Sequence, residues 1–93
     1  MDEKIVTRHP NGKSGVNISR AKYEIIKAAV IDALQSHPDM TFSDLVTSAE
    51  TKLAGQFDGS IPWYVTTVKL DLEARGVLER VSKSSPQRLR LVE

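Results

Sequence analysis

Apolar residues recur at helical spacing in three separate stretches of the chain, which therefore predict three helices. The first is expected to begin after Ser19, a favourable N-cap, and to end near Gln35. Pro38 sets that end, because a proline disfavours helical geometry at the residue before it. The apolar face of this helix comprises Tyr23, Ile26, Val30, Ala33 and Leu34.

The second predicted helix begins at Thr41 and ends before Gly55. Thr41 and Asp44 stand at the spacing of a capping box, and glycine is common just past a helix end. The apolar stripe of this helix comprises Phe42, Leu45, Val46, Ala49 and Leu53.

The third predicted helix covers residues 61–75. Ser60 can cap it, Pro62 falls in its first turn, where a missing N–H costs nothing, and Gly76 ends it. The inward stripe comprises Ile61, Val65, Val68 and Leu72, which leaves Pro62, Trp63, Thr66, Thr67, Lys69 and Leu70 outside.

Strand-forming residues flank the helical region at both ends. Residues 77–82 and 88–92 predict two strands joined by a turn at 83–86, and their inward residues are Leu78, Val81, Leu89 and Leu91. Near the N-terminus, the turn pair Asn11-Gly12 lies between two short β-prone runs. We therefore divide the chain into an N-terminal arm or β-hairpin, residues 1–18, and a helical domain with a C-terminal hairpin, residues 19–93.

The arm has other interpretations that its composition also allows. It suits a disordered tail, a strand added to the C-terminal sheet, or a segment that reaches a partner.

Composition narrows the class of protein. The 93 residues suit a single domain, and the hydrophobic share of 40% is ordinary for a soluble one. Apolar runs fall short of the roughly 18 residues that span a bilayer, and the acidic N-terminus does not resemble a secretory signal. The absence of cysteine excludes disulfides and thiol catalysis. We expect a cytoplasmic protein without a membrane partner.

Charge is unevenly distributed along the chain, although the net value is only +1. Residues 1–22 carry +3, residues 23–60 carry −4, residues 61–76 are neutral and residues 77–93 carry +2. This profile is weaker than that of a typical nucleic-acid-binding domain. It gives a basic surface only if the two ends of the chain meet in space.

The order of the predicted elements and two local sequence segments resemble those of one known superfamily. The segment "TVKLDLEARGVLERV" resembles the end of a recognition helix and the first wing strand of the winged helix, with Thr67, Val68, Leu72, Glu73, Gly76, Val77 and Leu78 at matching positions. "MTFSDLV" resembles the start of the second helix, where a short strand can precede the cap. The resemblance covers residues 20–92. The chain also looks like a group of small uncharacterised bacterial proteins that consist of one such domain.

The resemblance implies an α+β fold: a three-helix bundle followed by a C-terminal β-hairpin wing, preceded here by the arm or hairpin. It also implies a DNA-binding protein and a transcriptional regulator, with helix 61–75 in the major groove and the wing, residues 77–92, on the backbone. Such a protein is expected to act as a dimer on double-stranded DNA and to need no cofactor.

The residues expected to contact DNA lie on the outer side of the third helix and on the wing. They are Trp63, Thr66, Thr67, Lys69, Arg80, Lys83, Arg88 and Arg90. A second basic patch comprises Arg8, Lys13, Arg20 and Lys22. Against this interpretation, the helix lacks arginine in its first three turns, and Asp71 and Glu73 would repel phosphate if they faced it.

An alternative function is protein–protein interaction or dimerisation without nucleic acid. Its contact surface would centre on Trp63, Tyr64 and Leu70. The same residues also suit simpler roles, because the aromatic rings can pack on the core and the alternating arginines can protect an edge strand from aggregation.

Catalysis has little support in the sequence. His9 and His37 lie in separate loops without the cysteine or carboxylate pattern of a metal site. Gly12-Lys13-Ser14 resembles the end of a phosphate-binding loop, but His9 stands where that motif needs its first glycine. We expect no enzyme activity, no metal site, no cofactor and no small-molecule ligand.

Overall fold

The computed structural model describes residues 3–13, 15–81 and 87–92, and these residues form three helices and two small antiparallel sheets. The helices are α1 (Arg20–Ser36), α2 (Phe42–Leu53) and α3 (Ile61–Ala74). The strands are β1 (Lys4–Val6), β2 (Asn17–Ser19), β3 (Met40–Thr41), β4 (Leu78–Arg80) and β5 (Arg88–Leu91). The predicted α+β class is confirmed, and the architecture is compatible with a winged helix.

The predicted caps form at the start of each helix. The hydroxyls of Ser19, Thr41 and Ser60 accept the backbone N–H three residues ahead, at 3.3, 3.1 and 3.3 Å. The end of α3 is equally well defined: Gly76 has φ +76°, and the Val77 N–H donates to the Leu72 carbonyl at 2.9 Å. This arrangement turns the chain sharply from α3 into β4.

The core lies between the three helices and the inner face of the three-stranded sheet. We call this sheet, formed by β3, β4 and β5, the wing sheet. All five predicted residues of α1 are buried, as are Val65, Val68 and Leu72 of α3. Phe42, Val46 and Ile61 are partly buried against the same cluster. Lys69 and Asp71 are also buried, which the spacing of apolar residues did not predict.

The wing sheet has the strand order β3-β5-β4, so the last strand lies in the middle. Met40 pairs with Leu89, and Leu91 pairs with Leu78. Leu78 and Leu89 are buried on its inner face, as predicted. β4 is shorter than the predicted strand, and Ser82 and the predicted turn at 83–86 lie outside the described residues.

The N-terminal arm forms a hairpin in a sheet of its own, with Ile5 paired to Ile18. The alternative of a strand added to the wing sheet is therefore wrong. Beyond the paired strands, the Thr7 N–H donates to the Val16 carbonyl at 2.9 Å, and the Val16 N–H donates to the Thr7 hydroxyl at 2.9 Å. We call residues 3–13 and 15–19 the arm.

Candidate nucleic-acid interface

The exposed side of α3 is set by its helical geometry. Successive residues are about 100° apart around the axis, so the burial of Val65, Val68 and Leu72 turns the opposite side outward. We define the outer face of α3 as Pro62, Trp63, Thr66, Thr67 and Leu70. Pro62, Trp63 and Thr66 are exposed, and Thr67 and Leu70 are half-buried.

Trp63 is the largest side chain on the outer face and is 46% exposed. Its ring meets the Tyr64 ring edge to face, at 4.9 Å between centroids, and Tyr64 meets Phe57 in the same way at 5.1 Å. Tyr64 and Phe57 are partly buried against the core. The aromatic pair thus has two roles: Tyr64 packs inward, and Trp63 presents a supported ring to the surface.

Lys69, which was expected to contact DNA, does not lie on the outer face. It is 6% exposed, its ammonium lies 5.5 Å from the centre of the Phe42 ring, and it forms an ion pair with Glu73 at 3.3 Å. Burial lowers the Lys69 pKa, and the charge of Glu73 offsets part of that effect. The prediction that Lys69 is exposed is wrong, because its position on the helix faces α2 rather than solvent.

Glu73 and Arg80 complete this ion-pair cluster beside the wing. The Glu73 side chain is 7% exposed and accepts a hydrogen bond from Arg80 Nε at 2.7 Å. Arg80 keeps about half of its side chain exposed, at 51%. The carboxylate therefore joins α3 to β4 and does not present a negative charge to a ligand.

Asp71 is fully buried on the other flank of α3, at 0% exposure. Its carboxylate accepts hydrogen bonds from the Tyr23 hydroxyl of α1, the Arg8 backbone N–H of the arm at 2.8 Å, and Arg75 Nε at 2.8 and 3.0 Å. These bonds raise the Arg75 pKa, and burial followed by the Asp71 bond raises the Tyr23 pKa. Repulsion of phosphate by Asp71, considered above, has no basis in this geometry.

The bond from Arg8 places the arm directly beside the outer face. Thr67 and Leu70 of α3 and five arm residues line a shallow open cavity of about 90 Å³; the arm residues are Thr7, Arg8, His9, Gly15 and Val16. Arg8 and Lys13 are exposed. The arm thus brings Arg8 to the flank of α3 that carries Thr67 and Asp71.

The other residues of the predicted second basic patch are more closely paired. Arg20 forms ion pairs with Glu3 at 3.1 Å and Glu24 at 3.9 Å. The Lys22 ammonium lies 5.6 Å from the centre of the Tyr64 ring and 5.9 Å from that of Phe57. The patch therefore divides, and Arg8 is the member that lines a cavity with Thr67 and Leu70 of the outer face.

Three of the predicted arginines lie on the wing, and Arg80 is tied to α3 through Glu73. Arg80, Arg88 and Arg90 are all exposed. Arg88 Nη1 donates to the Asp39 carbonyl at 2.8 Å, and Arg90 Nε donates to Glu79 at 2.6 Å. Lys83, the fourth basic residue predicted for the wing, lies outside the described residues.

Sequence reasoning missed the group formed by Asp71, Tyr23 and the Arg8 backbone. The available signal was an aspartate at a position adjoining the inward stripe of α3, together with a tyrosine on the inward face of α1. A buried carboxylate needs hydrogen-bond donors, and a buried tyrosine hydroxyl is one of the few that a core supplies.

Among residues 3–13, 15–81 and 87–92, no cluster of histidine and acidic side chains has the arrangement to hold a metal ion. In the same part of the chain, the helices are too short or too polar to cross a bilayer.

The match to a known family covers nearly the whole chain and is not limited to the outer face of α3. The model of a family of unknown function, DUF6958, matches residues 4–89, which include the arm, all three helices and most of the wing. Comparison with curated proteins gives no match, and comparison with solved structures gives none.

Proposed function

Because the chain belongs to DUF6958, a family of unknown function, we propose a function from its fold and surface: a winged-helix domain that binds duplex DNA. In this proposal α3 enters the major groove, and the arm and the wing contact the phosphates on either side. A role in transcription regulation is the corresponding prediction for the cell.

The topology supports a winged helix. A short strand, β3, precedes α2, and the two strands that follow α3 join it in the order β3-β5-β4. The sheet therefore lies at the end of α3, where a wing hairpin can extend beside a bound duplex.

One observation carries the proposal: the two basic ends of the chain meet α3 on opposite flanks. The Arg8 backbone N–H donates to Asp71 on one flank, and Arg80 Nε of the wing donates to Glu73 on the other. The two carboxylates are two residues apart, so about 160° of the helix surface separates them on the side away from the inward stripe. The outer face occupies the space between them.

The electrostatics of this surface suit a phosphate backbone better than the sequence suggested. Asp71 is buried and Glu73 is 7% exposed, so neither carboxylate faces a ligand. The outer face itself is neutral. Arg8 and Lys13 of the arm, and Arg80, Arg88 and Arg90 of the wing, are the exposed basic residues that we assign to phosphates.

The test measures binding to a fluorescently labelled random duplex by anisotropy at low and moderate salt. We expect binding that weakens steeply with salt, since phosphate contacts release counterions. Lys13→Glu should weaken it at least tenfold, because one attraction is replaced by a repulsion on the arm.

Lys52→Glu provides the matched control. Lys52 is exposed and pairs with Asp32 across α1 and α2, so the variant makes the same change of net charge away from the outer face. Equal losses for Lys13→Glu and Lys52→Glu would reduce the effect to net charge, and absence of binding at low salt would overturn the proposal.

Trp63 favours a second candidate, a protein-interaction module. A tryptophan that is 46% exposed, on the same face of α3 as half-buried Leu70, resembles the centre of a protein interface. Sedimentation of the wild type and Trp63→Ala tests self-association through this surface. A concentration-dependent dimer that is lost in the variant supports it, and a monomer throughout removes the dimer.

A further inference from the structure

The chemistry of the outer face restricts which bases α3 can read. The usual specific contacts to guanine and adenine are bidentate and come from arginine, lysine, asparagine or glutamine. Within α3, every residue of which is described, the one such side chain is Lys69, and it is buried against Phe42 and Glu73. The helix therefore has no bidentate donor to offer a base edge.

The groups that the outer face does present are mostly apolar. They are the Trp63 ring, the Leu70 side chain and the methyl groups of Thr66 and Thr67. The Thr66 hydroxyl donates to the Pro62 carbonyl at 2.9 Å, so its proton is engaged within the helix. Van der Waals contact is thus the main interaction available to this face.

The cavity beside α3 has a size that suits a small apolar group. At about 90 Å³ it is well below the roughly 300 Å³ at which ligand pockets begin. Leu70, Val16 and the Thr67 side chain contribute to its lining, and Arg8 stands at its edge. It can receive a group as small as a methyl, close to a side chain that can hold the adjacent phosphate.

We propose that α3 selects DNA by contact with the C5-methyl groups of thymine in the major groove, with Leu70 and Thr67 as the specificity-determining residues. The thymine methyl is the apolar group that the standard bases expose in that groove. This inference rests on the proposed DNA binding. It assigns the base preference to van der Waals contact and the affinity to the basic flanks.

The experiment compares duplexes that differ only in methyl groups. An A·T-rich duplex is measured beside the same sequence with deoxyuridine in place of thymidine, and a G·C duplex beside its 5-methylcytosine form. We expect about fourfold weaker binding for each contacted methyl that is removed, the equivalent of about 0.8 kcal/mol for one buried methylene-sized group. The 5-methylcytosine duplex should bind more tightly than its unmethylated form.

Two variants separate base reading from backbone binding. Thr67→Ser removes one methyl group and keeps the hydroxyl, so it should reduce the thymidine-to-deoxyuridine ratio without changing the salt dependence. Leu70→Ala should reduce the ratio further, with folding checked by circular dichroism. Arg8→Ala should weaken binding to both duplexes by the same factor and leave the ratio unchanged.

The outcomes distinguish this inference from the proposed function. Equal affinity for the thymidine and deoxyuridine duplexes overturns the methyl preference and leaves DNA binding in place. A preference for G·C duplexes that is independent of methylation, and that disappears in Arg8→Ala, also overturns it. Failure to bind any of the four duplexes overturns both.

Discussion

At the scale of single residues, Asp71 connects the parts of the molecule that form the interface. Its carboxylate accepts hydrogen bonds from the arm, α1 and the end of α3, through the Arg8 N–H, the Tyr23 hydroxyl and Arg75. A buried carboxylate is stable only with such partners, because its transfer from water is costly. The position of the arm on α3 therefore depends on one side chain.

Asp71→Asn tests that dependence. The asparagine side chain has nearly the same shape as aspartate but carries no charge, so the hydrogen bonds that it accepts are weaker. Its NH₂ group also replaces one acceptor oxygen and faces groups that are themselves donors. We expect a loss of roughly 2–3 kcal/mol in the free energy of unfolding, measured by denaturant titration. The Arg8 amide should also exchange its hydrogen faster.

Asp32→Asn is the control for Asp71→Asn. Asp32 is exposed and pairs with Lys52, so its variant should change stability by less than about 1 kcal/mol. Equal effects of the two variants would contradict the role assigned to Asp71.

Tyr23 gives the molecule a predicted dependence on alkaline pH. Burial and the bond to Asp71 raise the Tyr23 pKa above its ordinary value of 10.0. Above about pH 10 the unfolded chain loses this proton while the folded chain keeps it, so the contribution to stability falls as pH rises. Urea titrations between pH 8 and 11 should show this fall in the wild type and a smaller fall in Tyr23→Phe. Identical slopes would contradict the assignment.

Lys69 is now expected to stabilise the fold rather than to contact DNA. Lys69→Ala leaves Glu73 with Arg80 as its remaining partner in this cluster, so we expect a loss of roughly 2–3 kcal/mol in stability. At a temperature where the variant is folded, its affinity for duplex DNA should stay within about twofold of the wild type. A larger loss would return Lys69 to the interface.

At the scale of elements, the arm is held in shape where its two halves approach most closely. A Cβ atom on Gly15 would lie 1.7 Å from the Thr7 carbonyl oxygen, so this position has no room for a side chain. Thr7 is 4% exposed and bonds to Val16 in both directions. The hairpin thus requires glycine at position 15. Because Arg8 follows Thr7 in the hairpin, its placement beside α3 depends on the same glycine.

Gly15→Ala should separate the two halves of the arm. We expect the free energy of unfolding to fall by roughly 1–3 kcal/mol, and the Thr7 and Arg8 amides to exchange their hydrogens faster. Gly12→Ala is the control: Gly12 has φ +74° with nothing within 4 Å of the added Cβ, so it should cost about 1–2 kcal/mol by backbone strain while the Arg8 amide stays protected. Loss of that protection in both variants would mean that the contact between Gly15 and Thr7 does not hold the arm.

At the scale of the whole molecule, the surface combines a neutral helix with two basic flanks. The net charge is only +1, because the acidic residues of the middle segment lie mainly on α1, α2 and their connections. Long-range attraction to DNA is therefore weak, and affinity must come from local contacts.

The salt dependence of binding measures how many of those contacts form. If Arg8, Lys13, Arg80, Arg88 and Arg90 each neutralise a phosphate, log K should fall with log salt at a slope of about −4.5, which is roughly a five-hundredfold loss between 50 and 200 mM. Arg88→Ala should reduce the magnitude of the slope by about one. A slope near zero, or one unchanged in Arg88→Ala, would contradict the assigned contacts.

The elements of this fold follow from local rules that a sequence displays directly. Helical period, the capping hydroxyls of Ser19, Thr41 and Ser60, and the glycine at position 76 involve residues at most a few positions apart. They gave the three helices to within a residue or two. The C-terminal hairpin was predicted in the same way, and its hydrogen bonds extend beyond β4 to Val77 and Val81.

The sequence by itself determined the helices and their inward stripes, because each depends on interactions between neighbouring residues. It left several conformations open for the N-terminal arm, whose separate two-stranded sheet only the structure shows. Tertiary structure alone decided that Lys69 and Asp71 are buried and that Arg8 lies beside α3. Asp71 meets its partners across 63 and 48 residues of chain, through bonds to Arg8 and Tyr23. A carboxylate or an ammonium next to an apolar stripe can face solvent or the core, and only packing of distant segments supplies the partners that make burial stable.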